Sequence, residues 1–195
     1  FTTRSRVVNG YHPRDLIGFT LVELLIVLSI ISVLATVVAP GMQRFMHGVY
    51  IRQYVSELMT DIVFTRSEAI KRNRRVRMCP SPVAISGKAG CVGVFADGWA
   101  VFVDNDGDRR LDADEQILRV SAGLDPKYSL TNRAGTRNAK EIITYWPDGS
   151  SRRNRTLMIC AKSDPAVKSW SVVMNLFGRP RMARGWGDCP AALLR

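Results

Sequence analysis

The run Phe19-Thr20-Leu21-Val22-Glu23-Leu24-Leu25-Ile26-Val27-Leu28-Ser29-Ile30-Ile31-Ser32-Val33-Leu34-Ala35-Thr36-Val37-Val38-Ala39 is the feature from which the rest of the chain is read. Only Thr20, Glu23, Ser29, Ser32 and Thr36 in it are not apolar. As a helix rising ~1.5 Å per residue it is about 31 Å long, the thickness of a bilayer core. Arg4, Arg6 and Arg14 precede it against one acid, Asp15. The positive-inside bias therefore puts residues 1–18 in the cytoplasm and everything after Pro40 outside. The run is too long for a signal-peptide core, and no small-x-small cleavage site follows it. Glu23 is its anomaly, because a carboxylate within an apolar span costs about 2.5–3.5 kcal/mol and normally has a partner. A free α-amine four residues upstream, made by a cut between Gly18 and Phe19, is such a partner.

Gly18-Phe19-Thr20-Leu21-Val22-Glu23-Leu24 closely resembles the type IV prepilin signature. The resemblance implies that a membrane prepilin peptidase cuts after Gly18 and methylates the new N-terminal Phe19. It also implies that Glu23 neutralises the terminal amine of a neighbouring subunit as helices pack into a filament.

Downstream, Pro40 removes a backbone donor and is expected to kink the helix where the apolar run stops. The pattern then stays helical: Ile51, Val55, Leu58, Ile62, Thr65 and Ala69 recur at helical spacing as one stripe. Arg66, Lys71 and Arg72 suit the negative end of a helix dipole, so the helix is expected to end near Asn73. Beyond Arg75 the signals become short β-branched and aromatic runs between Gly, Pro, Asn and Asp. Strands are predicted at 76–79, 99–103, 117–120, 127–130, 142–146, 156–161 and 170–175, with 179–182 as an eighth, and no helical period recurs among them. The expected architecture is α+β: a long N-terminal helix, half transmembrane and half in the head, packed on an antiparallel β-sheet head. Its parts are a leader at 1–18, a transmembrane and assembly helix at 19–40, an amphipathic continuation at 41–75 and a β-rich head at 76–195.

The 195 residues carry 28 Lys and Arg against 17 Asp and Glu, a net charge of +11, which favours polyanionic partners. Both histidines, His12 and His47, lie in the first quarter of the chain. The head therefore has no imidazole for nucleophilic catalysis or zinc ligation, no nucleotide motif is present, and neither enzyme activity nor a cofactor is expected. Cys79, Cys91, Cys160 and Cys189 lack CxxC spacing and read as two disulfides, hence an oxidising compartment such as the periplasm. Four cysteines permit three pairings.

The string Gly98-Trp99-Ala100-Val101-Phe102-Val103-Asp104, followed by Gly107, Asp112, Glu115 and Leu118-Arg119, resembles the head of the GspH/FimT family of minor pilins and pseudopilins. The likeness is looser over 121–141. It implies the pilin fold, other pilin or pseudopilin subunits as partners, an inner-membrane anchor, and the pairs Cys79–Cys91 and Cys160–Cys189.

Two charged segments are candidate sites. Asp104, Asp106, Asp108, Asp112 and Glu115 occupy positions 1, 3, 5, 9 and 12 of an EF-hand-like loop, which invites calcium. Against it, position 6 is Arg109 instead of glycine and the flanks read as strands, so an ordinary acidic hairpin loop is the alternative. At the other end, Gly178-Arg179-Pro180-Arg181, with Arg184 three residues on, lies in a stretch where nine Lys or Arg from Arg152 to Arg195 face only Asp164 and Asp188. In an extended segment Arg179 and Arg181 point the same way and can grip adjacent phosphates. Gly178 permits close backbone approach, Pro180 limits chain freedom, and Trp186 offers a stacking face. A solvated basic turn is the plain alternative. The GRxR string resembles the DNA-binding signature of FimT-type minor pilins, which support DNA uptake in natural transformation. By that likeness Gly178, Arg179, Arg181 and Arg184 contact double-stranded DNA without sequence preference. Arg152, Arg153 and Arg155 form a second basic patch and the Arg66–Arg77 cluster a third, both without a motif. The other reading is a type II secretion pseudopilin whose head contacts protein partners.

Overall fold

The structure, a computed structural model, describes residues 19–164 and 166–189, apart from the side chains of 37–40. Two compact units meet between Gly41 and Met42. Helix α1 runs Leu21–Arg72. In the first unit Thr20 caps its start. The Thr20 hydroxyl accepts from the Glu23 N–H at 3.2 Å, and the Thr20 carbonyl accepts from the Leu24 N–H at 3.1 Å. Thr20 and Glu23 thus hold the first and last places of a capping box, so Glu23 lies in the first helical turn, where the helix dipole favours an anion. The hydroxyls of Ser29, Ser32 and Thr36 donate to carbonyls three residues back at 2.7, 2.8 and 2.8 Å, so the helix itself satisfies them. From Leu24 to Leu34 the large apolar side chains stand 45–64% exposed. Leu21–Thr36 by itself is too short for a bilayer, and it meets the length and composition of a span only together with the helical stretch from Gly41. The kink expected at Pro40 falls outside the described side chains.

In the second unit the stripe Ile51, Val55, Leu58, Ile62, Thr65 and Ala69 is fully buried. Burying one Leu or Ile side chain contributes about 1.5–3 kcal/mol, so this face provides much of the attachment of α1 to the head. The helix ends at Arg72, one residue before the expected Asn73, which adopts a left-handed φ of +51°. Asn73 N–H reaches the Ile70 carbonyl and Arg74 N–H the Ala69 carbonyl, both at 3.3 Å, which closes the helix in a Schellman motif.

The strands are β1 Val76–Pro80, β2 Trp99–Val103, β3 Ile117–Ser121, β4 Tyr128–Thr131, β5 Ile143–Tyr145, β6 Arg155–Ala161, β7 Trp170–Met174 and β8 Pro180–Arg184. A short helix α2, Val83–Ser86, and a 3-10 turn, Phe95–Asp97, interrupt the region where no helix was expected; four residues are too few to show a helical period. The single antiparallel sheet region read from sequence is divided into two four-stranded antiparallel sheets, ordered β3-β2-β1-β5 and β4-β6-β7-β8. Every residue of β1 and β2 is buried. One face, with Met78, Trp99 and Val101, meets the helix stripe in the main core, while Cys79, Ala100 and Phe102 pack beneath Leu111 on the other. The Trp99 indole donates to Asp61 on α1 at 2.7 Å, and Arg119 on β3 donates to the other oxygen of that carboxylate at 2.6 Å. This polar clamp fixes the register of helix on sheet.

Disulfides join Cys79 to Cys91 and Cys160 to Cys189. The second one lays residues 185–189 across the outer face of the second sheet. There Ser171 Oγ donates to the Trp186 carbonyl at 2.9 Å and Ser169 Oγ to the Gly187 carbonyl at 3.3 Å.

Candidate functional site

The GRPR string sits at the tip of the β7–β8 hairpin. The turn Asn175–Gly178 is closed by a 3.0 Å bond from Gly178 N–H to the Asn175 carbonyl, with the Asn175 side chain accepting from Arg179 N–H at 2.9 Å. Asn first and Gly fourth are the turn's preferred residues. Gly178 has φ +74°, and a Cβ there would lie 2.2 Å from the Gly149 carbonyl and 2.6 Å from Tyr145 Cε1. Its carbonyl accepts from the buried Tyr145 hydroxyl at 3.0 Å. Both of its backbone groups are therefore engaged inside the head. The close approach that Gly178 permits in this structure is to the β5–β6 turn. Burial pushes the Tyr145 hydroxyl up to about 12, so it stays a neutral donor at physiological pH.

Pro180 opens β8 at the sheet edge, where a missing N–H is tolerated. Arg181 pairs with Val173, while Pro180, Met182 and Arg184 stand opposite Met174, Val172 and Trp170 on the alternate face of the strand, where Met182 and Arg184 are exposed. Strand alternation thus turns Arg184, which is exposed, to the face opposite Arg181, because residues three apart on a strand fall on opposite faces. Arg179 lines a cleft with Arg66, Asp148 and the exposed Phe177, whereas Arg181 lines the adjoining groove.

That groove, about 630 Å³, is bordered by Arg133, Arg137, Lys140, Arg155 and Arg181 against one acid, Glu141. The Arg133 and Arg181 guanidinium carbons lie 4.4 and 5.4 Å from the Trp186 ring centroid. Cation–π contact of this kind preorients the two guanidinium groups. The stacking face expected of Trp186 is accordingly in use by the protein's own arginines. Arg155 bonds the Glu141 carbonyl at 2.7 Å and lies 3.4 Å from its carboxylate; burial lowers its pKa, though the nearby carboxylate opposes the shift. Arg133, Arg137 and Lys140 escaped the sequence reading. Their signal was three cations without an acid before Glu141, in the least family-like part of the head.

Of the acidic loop, Asp104, Asp106 and Asp108 bring one carboxylate oxygen each within 4.8 Å of one another. Asp104 is buried and already accepts from the Arg77 guanidinium and, at 2.9 Å, from Gly107 N–H. Glu115 and Asp112 are not part of that group; Glu115 accepts from Asn105 N–H at 2.9 Å and from Asp112 N–H at 3.4 Å. The loop is therefore cross-braced by its own backbone. Partial desolvation and then the neighbouring Asp108, Asp106 and Asp114 push the exposed Asp112 carboxyl up.

At the N-terminus, Gly18 lies outside the described residues, while Phe19 is exposed. Two family models match: "Type II transport protein GspH" over residues 55–178 and "Prokaryotic N-terminal methylation motif" over 17–39. No curated protein matches the chain. Among solved structures, the type IV minor pilin FimU of Pseudomonas aeruginosa is similar in two crystal forms, both at 18% identity. The likeness covers 71% and 72% of this chain and 99% and 95% of those, with TM-scores of 0.52 and 0.53. The minor pseudopilin EpsH of the Vibrio cholerae type 2 secretion system is 12% identical over 69% of this chain and 97% of its own, with a TM-score of 0.47.

An N-terminal methylation motif opening a long helix that packs on antiparallel sheets defines a membrane-anchored protein of the type IV pilin fold. The chain belongs to the GspH family, and it is a minor pilin or pseudopilin of the type IV and type II filament machines.

Proposed function

We propose that this subunit enters a type IV pilus and that its head binds double-stranded DNA, without sequence preference, for uptake in natural transformation. In this reading prepilin peptidase removes residues 1–18 after Gly18 and methylates Phe19. The helix at 19–40 is a single inner-membrane pass, 41–75 continues it, and the head at 76–195 faces the periplasm. Glu23 neutralises the terminal amine of a neighbouring subunit, because a carboxylate in an apolar filament core needs a counter-charge.

The DNA reading is carried by one observation: Arg181 and Arg133 both lie over Trp186, beside a groove bordered by five cations and one acid. Arg179 extends this surface into the adjoining cleft, and Arg184 lies exposed on the other face of β8. With Arg133, Arg179 and Arg181 each neutralising one phosphate, the log–log salt slope on duplex DNA is about −2.7. The test is a mobility-shift titration of the full chain in neutral detergent micelles. The Arg179→Ala, Arg181→Ala pair is expected to weaken binding severalfold and to flatten the slope by about 1.8. Equal binding by parent and variant at the same salt refutes the assignment.

A second reading, a type II secretion pseudopilin whose head contacts protein partners, is favoured by the description of the family model that matches the head. It takes the lead where the parent fails to bind duplex near physiological salt. In both readings Gly18→Ala leaves an uncleaved precursor, and continued cleavage at that bond would remove the pilin processing scheme.

A further inference from the structure

A second basic cleft, of about 340 Å³, lies between the end of α1, the acidic loop and the β5–β6 turn. Arg75, Arg77, Arg109, Arg152, Arg153 and Arg155 line it, with no acid among its lining residues. Arg77 is paired with Asp104 and Arg155 with Glu141. The other four guanidinium groups have no carboxylate within 4.0 Å among the described residues.

Three segments far apart in sequence converge here, and their arginines are held in place. The Arg75 and Arg152 guanidinium carbons lie 5.5 and 3.9 Å from the Trp146 ring centroid. Arg75 also packs on Gly107, where a Cβ would stand 2.5 Å from its terminal nitrogens. Three non-glycine residues among those described have left-handed backbone: Asn73, Arg109 and Arg152, at φ +51°, +73° and +55°. Arg109 and Arg152 line the cleft, and Asn73 turns the chain towards Arg75. Such strain persists where the surrounding structure over-determines it and concentrates at functional sites. Like charges gathered within one Debye length repel one another, and an anion relieves them.

We propose that this cleft is a phosphate-binding site, in which guanidinium groups of Arg75, Arg109, Arg152 and Arg153 clamp a phosphate. Arginine suits the task because its planar fork matches phosphate oxygens two at a time. The phosphate comes from a nucleic-acid backbone or from free inorganic polyphosphate. Arg179 and Arg181 are not part of this site, which stands independently of the DNA reading above.

Isothermal titration of pyrophosphate into the full chain in neutral detergent tests it. One site is expected, weakened at least about tenfold in Arg152→Gln, Arg153→Gln, since each lost charge-assisted bond is a strong one. It should be unchanged in Arg179→Gln, Arg181→Gln. Arg75→Gln, distant in sequence and with ordinary backbone, repeats the loss should the double variant fold poorly. Failure of the parent to bind pyrophosphate, or equal binding by parent and Arg75→Gln, overturns the proposal. A competing 20-base-pair duplex names the source: displacement of pyrophosphate assigns the cleft to nucleic-acid backbone, and retention assigns it to the free anion. Loss of duplex affinity in Arg179→Gln, Arg181→Gln bears on the hairpin reading alone.

Discussion

The head carries two clusters in which a pair of arginines lies over a tryptophan, and they are built differently. At Trp186 the arginines come from β8 and from the loop after β4, and the ring rides on a tail pinned by the Cys160–Cys189 disulfide. At Trp146 they come from the link between α1 and β1 and from the β5–β6 turn, on elements braced by the core. The first cluster depends on a covalent tie at the chain's edge, and the second on packing around Gly107 and Gly178. Similar chemistry therefore has two separate points of failure.

Replacing Cys160 and Cys189 by Ser should do the most damage and affect only one side of the comparison. Opening a 29-residue link costs about 3.5 kcal/mol in the chain-entropy estimate. Urea denaturation should show that loss, together with weaker duplex binding, while pyrophosphate affinity at the Trp146 cleft stays within twofold in the folded fraction. Parallel loss at both clusters would break the distinction.

Gly178→Ala should follow, at about 2–4 kcal/mol, from a left-handed φ and a collision with the Gly149 carbonyl. Because that collision is with the β5–β6 turn, this variant should weaken both clusters, and a thermal melt beside the two titrations checks it. Tyr145→Phe removes the bond to the Gly178 carbonyl and should cost about 1 kcal/mol without altering pyrophosphate binding.

The smallest effect belongs to Asp148. The Ser150 backbone N–H, the Ser150 side chain and, less strongly, Arg152 hold its carboxyl below the ordinary 3.8. A depressed folded value contributes stability that is whole above 3.8 and disappears as pH falls through that folded value. Asp148→Asn should lower the melting temperature slightly at pH 7, where the ionised carboxylate contributes, and converge on the parent as pH falls through that folded value, so that its acid limb is flatter. An identical acid limb in variant and parent would contradict the assignment.

Much of this was legible in local pattern. The helical spacing of Ile51 to Ala69 foretold the buried stripe, and the eight strand positions were readable from β-branched runs and turns. Arg181 stood out because glycine, proline and arginine are adjacent in the chain. Even the orientation of Arg184 was available, since alternation along a strand separates residues three apart. A glycine that lets a ligand approach and one that lets the protein's own backbone approach look the same in sequence, and the packing of Gly178 on the Gly149 carbonyl was therefore not legible.

Arg133 could not be tied to Trp186, nor Arg75 to Trp146 and Arg152, because each set joins segments separated by tens of residues. The sequence by itself determined the methylation-type helix start, the amphipathic helix and the number of strands, all of which rest on periods of 3.6 and 2 within a few residues. Only the tertiary structure decided how eight strands divide into two sheets and which arginines share a ring. Those outcomes depend on long-range pairing, which local periodicity does not encode.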